Sequence, residues 1–506
     1  MIRVALLLGL LFAVQVGAHP AHAQSAAGFD PQAATSVYTA ALTFLTPRIV
    51  DAEPVSRLTQ WGLQGITALD PLLVVGVRDG RLLLTAKDKT VFEIAAPRGE
   101  TVAEWVPAAI AVTKAATDVS PALRRAGTGR IMQAFFDEMF NHLDPYSRYV
   151  PPTDAGEDRE RRAGRAGIGI ALVQRGPAVT VSEVIRDSPA AAAGMRPGDI
   201  VVAIGGESVR GLGASVVASM ISGPEDTNFA LTWRSRDGKS HESAFVRVLV
   251  PAETVFGQRS GDMLVVRIAG FNNTTDTHLA HLLQDGMSGD NPPDGIVLDL
   301  RGNRGGLLRQ AVTVADTFLP EGLVTATIGR APEANHVWNS TPGELAEGVP
   351  LVVLVDGLTA SAAEVLAAAL ADRGRAVVVG SATFGKGLVQ TIVPLPDGGE
   401  LFITWSRILA PRGWPIQGLG VLPQVCTSLG GGSARQQVNA LAGGRQSMQA
   451  AIDAHRGARP PLPLARIQAI RDACPAAEGR ADDLSVARDL IANPAAYAAA
   501  LLPPMR

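Results

Sequence analysis

Lys386 stands out because the chain otherwise writes its cations as arginine: of 45 Lys and Arg residues five are Lys, and none but Lys386 follows Lys239. Arginine keeps its proton in proteins, whereas a desolvated lysine can be driven toward neutrality and serve as a general base. Ser361 lies 25 residues upstream, where the apolar run Leu351 to Val355 gives way to a helical pattern, and Gln390 lies four residues downstream of the lysine. A hydroxyl, a neutral amine and a second polar side chain are the parts of a Ser-Lys nucleophile with a helper. Even spacing along a strand sets Lys386 and Gln390 on one face, so that the glutamine can accept a proton from the amine and aim its lone pair at the serine.

Each residue also has a plainer role. Ser361-Ala-Ala-Glu364 is a capping box, in which serine and glutamate satisfy the first free amides of a helix. A lysine between Gly385 and Gly387 fits a solvated turn, and Gln390 fits an exposed position on a strand. A phosphate loop is excluded, because the string Gly-x-x-x-x-Gly-Lys-Ser/Thr is missing, as is the Gly-x-Ser-x-Gly elbow of common hydrolases. If Ser361 is the nucleophile, the Ala362 amide at the first helical turn points where an oxyanion forms. Gly305 and Gly306, at a strand-to-helix turn, bring bare backbone to the same place, and one of their amides is expected to be the second donor. The alternative there is a simple tight turn.

These residues need elements to hold them. With 506 residues, 47% of them hydrophobic and 18% charged, the chain can bury a large core split among several domains. A net charge of −3 leaves no electrostatic footprint for nucleic acid or anionic lipid. Arg3, the apolar run Val4 to Gly17 and Ala21-His22-Ala23 have the layout of a cleaved signal peptide, with mature protein from about Gln24. No later apolar stretch reaches membrane-spanning length, so an exported protein without an integral membrane segment is expected. Export favours a bridge between Cys426 and Cys474, although two separate buried thiols fit as well. His278 and His281 belong to a helix face, and no metal or organic cofactor is called for.

The pattern divides as a signal (1–23), an α+β region (24–120), a helix and charged linker (121–165), a compact unit (166–250), an α/β region (251–425) and a helical, peripheral tail (426–506). In 166–250, Gly167-Ile168-Gly169-Ile170, a helix ended by glycine, Arg196-Pro-Gly-Asp199 and Ile200-Val-Val-Ala-Ile204 resemble a PDZ domain in order. From Met263 onward strands and helices alternate, which argues a sheet covered by helices.

The strings Leu143-Asp-Pro-Tyr-Ser147, Leu298-Asp-Leu-Arg-Gly-Asn-Arg-Gly-Gly306, Thr359-Ala-Ser-Ala-Ala-Glu364, Thr383-Phe-Gly-Lys-Gly-Leu-Val-Gln390 and Gly420-Val-Leu-Pro-Gln-Val425 resemble the carboxy-terminal processing peptidases. That resemblance, over 130–425, implies an α/β multi-domain protein with a crotonase/ClpP-like ββα-repeat core, an inserted PDZ domain in the form of a β-rich partial barrel, and helical extensions at both ends. It also implies Ser361 as nucleophile, Lys386 as base and Gln390 as the residue that positions the lysine. Asp356, Thr359, Gly302, Arg304, Ser381 and Gln424 depart from the family's usual residues without removing a catalytic group. The expected partners are protein C-termini, captured at Gly167 to Ile170 by strand addition, with room for a periplasmic adaptor. A catalytically idle periplasmic PDZ adaptor is the alternative.

Overall fold

The computed structural model describes residues 28–163, 166–251, 253–288 and 291–503. The expected signal peptide and its cleavage site lie outside the described residues. The chain forms two units, one of residues up to Thr39 with Val55–His142, the other of Ala40–Pro54 with Leu143 onward.

In the first unit a three-stranded antiparallel sheet (Leu73–Arg78, Arg81–Ala86, Lys89–Ala95) joins helices Val55–Leu69, Val102–Val119 and Pro121–Asn141. The helix Val55–Leu69 is not among the elements expected from sequence, because Gly62 and Gly65 weaken a helical pattern. Their purpose is close approach: a Cβ on Gly65 would lie 2.1 Å from the Ala134 carbonyl oxygen, and one on Gly62 would lie 2.4 Å from the Phe135 ring. Two helices can cross there because those side chains are absent.

In the second unit the central sheet runs in the order Val255–Ser260, Met263–Ile268, Gly295–Asp299, Leu351–Val355, Val377–Gly380, Val425–Cys426, and is parallel from the second strand on. Helices Thr275–Met287, Leu308–Asp316 and Ala362–Asp372 follow strands in the alternation the sequence predicts. Leu351, Val353 and Val355 pack on one side with these helices. Val352 and Leu354 pack on the other with Val438, Leu441, Val486 and Leu490. Burial on both faces explains why Leu351 to Val355 is apolar throughout. It also corrects the peripheral reading of the tail, since helices Gly431–Ala442, Ala481–Ile491 and Pro494–Ala500 form the sheet's second layer.

A second, antiparallel sheet has the order His336–Ser340, Gly322–Gly329, Glu400–Leu409, Leu388–Pro394, and Arg148–Val150 adds to Glu400–Leu409. The expected linker is different as well. Pro152–Ala163 is helical, with Arg159 paired to the buried Glu400 at 3.1 Å.

The stretch 166–250 forms its own sheet, in the order Ser240–Val246, Asn228–Arg234, Ile200–Ile204, Ala178–Val184, Ile170–Arg175, around Trp233, Phe245 and Val217. Ile170–Arg175 is its edge strand, with the helix Ala214–Ile221 among its packing neighbours.

Candidate active site

The strand Leu351–Val355 delivers the chain to a turn, Asp356 to Ala360, whose shape is set by one carboxylate. Asp356 Oδ1 accepts the amides of Leu358 (3.0 Å), Thr359 (2.9 Å) and, from the glycine-rich turn, Gly302 (3.0 Å). The next residue, Ser361, sits at φ 58°, ψ −119°, a conformation that costs a non-glycine residue about 1–3 kcal/mol. Glu364 opposes that cost, because its Oε2 accepts the Ser361 amide at 2.8 Å. The capping reading is thus met from the glutamate side. The Glu364 amide donates to the Ser361 carbonyl at 2.9 Å.

The same carboxylate reaches the lysine. Glu364 is fully buried, and its oxygens also accept the Gly385 amide at 2.6 Å, the Lys386 amide at 2.9 Å and the Thr383 hydroxyl. Burial pushes the Glu364 pKa up, while these four donors pull the other way. A carboxylate facing donors alone is best matched in its ionised, acceptor-only form. Ser361 and Lys386 are therefore backbone neighbours on a single oxygen, Glu364 Oε2.

The Lys386 side chain is half-buried, and its Nζ lies 4.7 Å from the centroid of the Tyr146 ring. Burial lowers its pKa first, and the positive charge of Arg148 lowers it further. Among the described residues no hydrogen bond joins the amine to the Ser361 hydroxyl. Catalytic hydrogen bonds are often long or unformed until substrate arrives. If Lys386 is the base, replacing Arg148 by Met should move the acidic limb of the activity profile to higher pH, since the amine then holds its proton more tightly. A pH–kcat/KM series on the two proteins checks this, and an unmoved limb would show that Arg148 does not tune the amine.

Gln390 does not keep the company expected of it. Its Nε2 donates to Thr404 Oγ1 at 3.1 Å, and Thr404 Oγ1 donates to Asp144 Oδ1 at 2.7 Å. Parity fails for two reasons: Lys386 precedes the strand Leu388–Pro394, and the register slips between Val389 and Gln390. Asp144 in turn accepts the Tyr146 amide at 2.9 Å and the Ser147 amide at 3.0 Å, so Gln390 braces the loop that carries Tyr146.

Gly305 has its backbone against the Ser361 turn. A Cβ there would sit 2.8 Å from Ser361 Cβ and 3.0 Å from the Ala362 nitrogen, at a φ of +96°. Its amide, however, is taken by Asn303 Oδ1 at 2.8 Å, which removes Gly305 as an oxyanion donor in this arrangement. The amides of Gly306 and Ala362 have no acceptor among the described residues. Exposed Leu307, Leu358 and Phe384 stand one to three residues from Gly306, Ser361 and Lys386.

The other expected sites are also located. Gly167, Ile168, Gly169 and Ile170 line a cavity of about 140 Å³ together with Ala218 and Ile221. Cys426 and Cys474 form a disulfide, with Cα atoms 5.7 Å apart. Among the described residues no group of His, Cys, Asp and Glu could hold a metal ion. Sequence reasoning missed three contributors: Thr383 and Glu364 as the scaffold of both turns, and the Tyr146–Arg148 loop beside the amine. The capping spacing marks Glu364, but nothing local marks its reach to residues 383–386.

Comparison with known proteins agrees with this architecture. Residues 262–427 match peptidase family S41 and residues 180–235 match the PDZ domain. A carboxy-terminal-processing protease of Bartonella bacilliformis is 34% identical over 301 residues, spanning 58% of this chain and 69% of that one. A probable CtpA-like serine protease of Staphylococcus saprophyticus is 34% identical over 298 residues, and there the match spans only 59% of the relative's length. Among solved structures, a photosystem II D1 C-terminal processing protease aligns at 27% identity with a TM-score of 0.36, covering 63% of this chain and 86% of that one. With its PDZ unit and its S41 core, the chain belongs to the carboxy-terminal-processing proteases of peptidase family S41.

Proposed function

We propose that the protein is an exported serine endopeptidase, working in the periplasm, that cuts protein substrates near their C-termini by a Ser-Lys mechanism. The observation that carries this is the shared carboxylate: the backbones of Ser361 and Lys386 both hang on Glu364 Oε2, and burial and the charge of Arg148 lower the basicity of the Lys386 amine. Export rests on the sequence of residues 1–23, and among the described residues no helix is long and apolar enough to cross a membrane.

The substrate tail adds as a strand to the edge Ile170–Arg175, its carboxylate received at Gly167 to Ile170. Neutral Lys386 swings from the Tyr146 ring to take the Ser361 proton, and the serine oxygen attacks the scissile carbonyl. The amides of Ala362 and Gly306 hold the oxyanion, each donor in such a site being worth about 10²-fold or more in rate. The protonated lysine then donates to the leaving amine, and water, deprotonated by the same residue, resolves the acyl-enzyme. Gln390 acts at one remove, through Thr404 and Asp144, on the loop that flanks the amine.

A serine-directed fluorophosphonate should label the protein, and Ser361→Ala should lose the label. Exported-protein C-termini, compared by mass spectrometry between cells with wild-type enzyme and cells with Ser361→Ala, should differ. Equal labelling of the variant, or identical termini, would favour the idle adaptor that binds tails without cutting.

A further inference from the structure

The catalytic turns are closed from one side by a segment beyond the S41 match. After Cys474 the chain runs without regular secondary structure from Pro475 to Arg480. The Ala382 amide donates to the Cys474 carbonyl at 3.3 Å, three residues ahead of Gly385. The Ala477 carbonyl accepts the Gly357 amide at 2.8 Å and the Ser381 hydroxyl at 2.9 Å, while the Ala477 amide donates back to Ser381 Oγ at 3.1 Å. The Gly479 amide donates to Asp356 Oδ2 at 3.2 Å. Arg301, at the head of the glycine-rich turn, donates to the Arg480 carbonyl at 2.7 Å and pairs with the buried Asp483 at 3.0 Å.

Asp356 is the meeting point. One of its oxygens orders the nucleophile turn and Gly302, and the other holds Gly479. A segment without a helix or strand of its own has little to keep it in place except such contacts and its ends. Its upstream end is the disulfide to Cys426, at the edge strand of the central sheet, with both cysteines fully buried.

We propose that the stretch from Pro475 to Arg480 is a positioning strap for the Ser361 and glycine-rich turns, held at its upstream end by the Cys426–Cys474 disulfide and leading at its downstream end into the helix Ala481–Ile491, so that full turnover requires that bond. This rests on the reading of Ser361 as nucleophile. The two thiols become the disulfide by exchange with a disulfide-bearing oxidant, which leaves as a dithiol carrying the two electrons and two protons. A chain still reduced would fold around a loose strap and work slowly until oxidised.

Two variants of the full-length protein test this: Cys426→Ser with Cys474→Ser, which removes the bond, and Ser381→Ala, which keeps the bond but removes the two Ser381 hydrogen bonds to Ala477. With a tail-bearing protein substrate, kcat should fall about tenfold in each while KM, set by tail capture at the PDZ unit, stays within about twofold. Amide hydrogen exchange over 301–306 and 356–362 should quicken about tenfold. Wild-type kcat and wild-type exchange in the folded Ser381→Ala protein would overturn the strap, and wild-type kcat in the double variant, made as Cys426→Ser with Cys474→Ser or, where that does not fold, as Cys426→Ala with Cys474→Ala, would overturn its dependence on the bond. If wild-type protein shows no Ser361-dependent labelling, the catalytic reading has failed, and the exchange data alone still judge the strap.

Discussion

Lys386→Arg should leave a folded protein whose kcat is lower by at least about 10³-fold, at every pH from neutral to the alkaline limit of stability. A positioned general base is worth about 10²–10⁴-fold, and an arginine at this place cannot perform the role because it does not give up its proton. The length of the side chain is roughly kept and a guanidinium can also lie over the Tyr146 ring, so the fold survives and the melting temperature should move by only a few degrees. Wild-type activity should fall as pH drops, because burial and Arg148 set the amine's proton loss below the ordinary lysine range and acidification restores the proton. A steady-state pH series on both proteins, beside a melting curve, separates the outcomes. Substantial turnover by the arginine variant would remove Lys386 from the mechanism.

Glu364→Gln is expected to be the single-atom change in the site that costs the fold most. The carboxylate faces four donors, the amides of Ser361, Gly385 and Lys386 and the hydroxyl of Thr383, and the Thr383 oxygen already accepts the Val421 amide at 2.7 Å. Turning one carboxylate oxygen into an NH₂ group points a donor at donors, whichever way the amide is placed. Each buried N–H left without an acceptor costs about 1–3 kcal/mol, so the protein should lose about 3–5 kcal/mol of stability. The Ser361 backbone also loses what holds it at positive φ, and kcat should fall about 10²-fold or more among the molecules that remain folded. Denaturant titration measures the first effect, and fluorophosphonate labelling rate on the folded fraction measures the second. A variant as stable and as quickly labelled as wild type would mean that Glu364 is a bystander.

Much of this arrangement is legible in the residues, and what is not has physical reasons. Strands and helices in 263–393 are legible because the central sheet, buried on both faces, leaves short continuous apolar runs that alternate with longer helical stretches. Ser361 and Lys386 are found by chemistry: one is a hydroxyl at a strand-to-helix junction, the other a lysine in an arginine-writing chain. The partner of Gln390 is hidden because a slipped register cancels the parity on which a strand argument depends. Gly305 and Gly306 look equivalent as letters, yet Asn303, two residues before the first of them, takes only that one's amide. The helix Val55–Leu69 is masked by the two glycines that let it approach its neighbour, and the helix Pro152–Ala163 by a charge density that reads as solvated chain. The tail misleads through its small, loose-looking composition, since alanine and glycine suit close packing on a flat sheet as well as they suit disorder.

The two-sided burial of the central sheet sets a limit on how the protein can be shortened. The recognisable peptidase ends near residue 427, but Val352, Leu354, Val377 and Val379 have their cover in helices that come later. Ending the polypeptide where the family likeness ends would strip an oily plane that only self-association could hide, so the smallest independently folding catalytic fragment has to extend through the helix Pro494–Ala500.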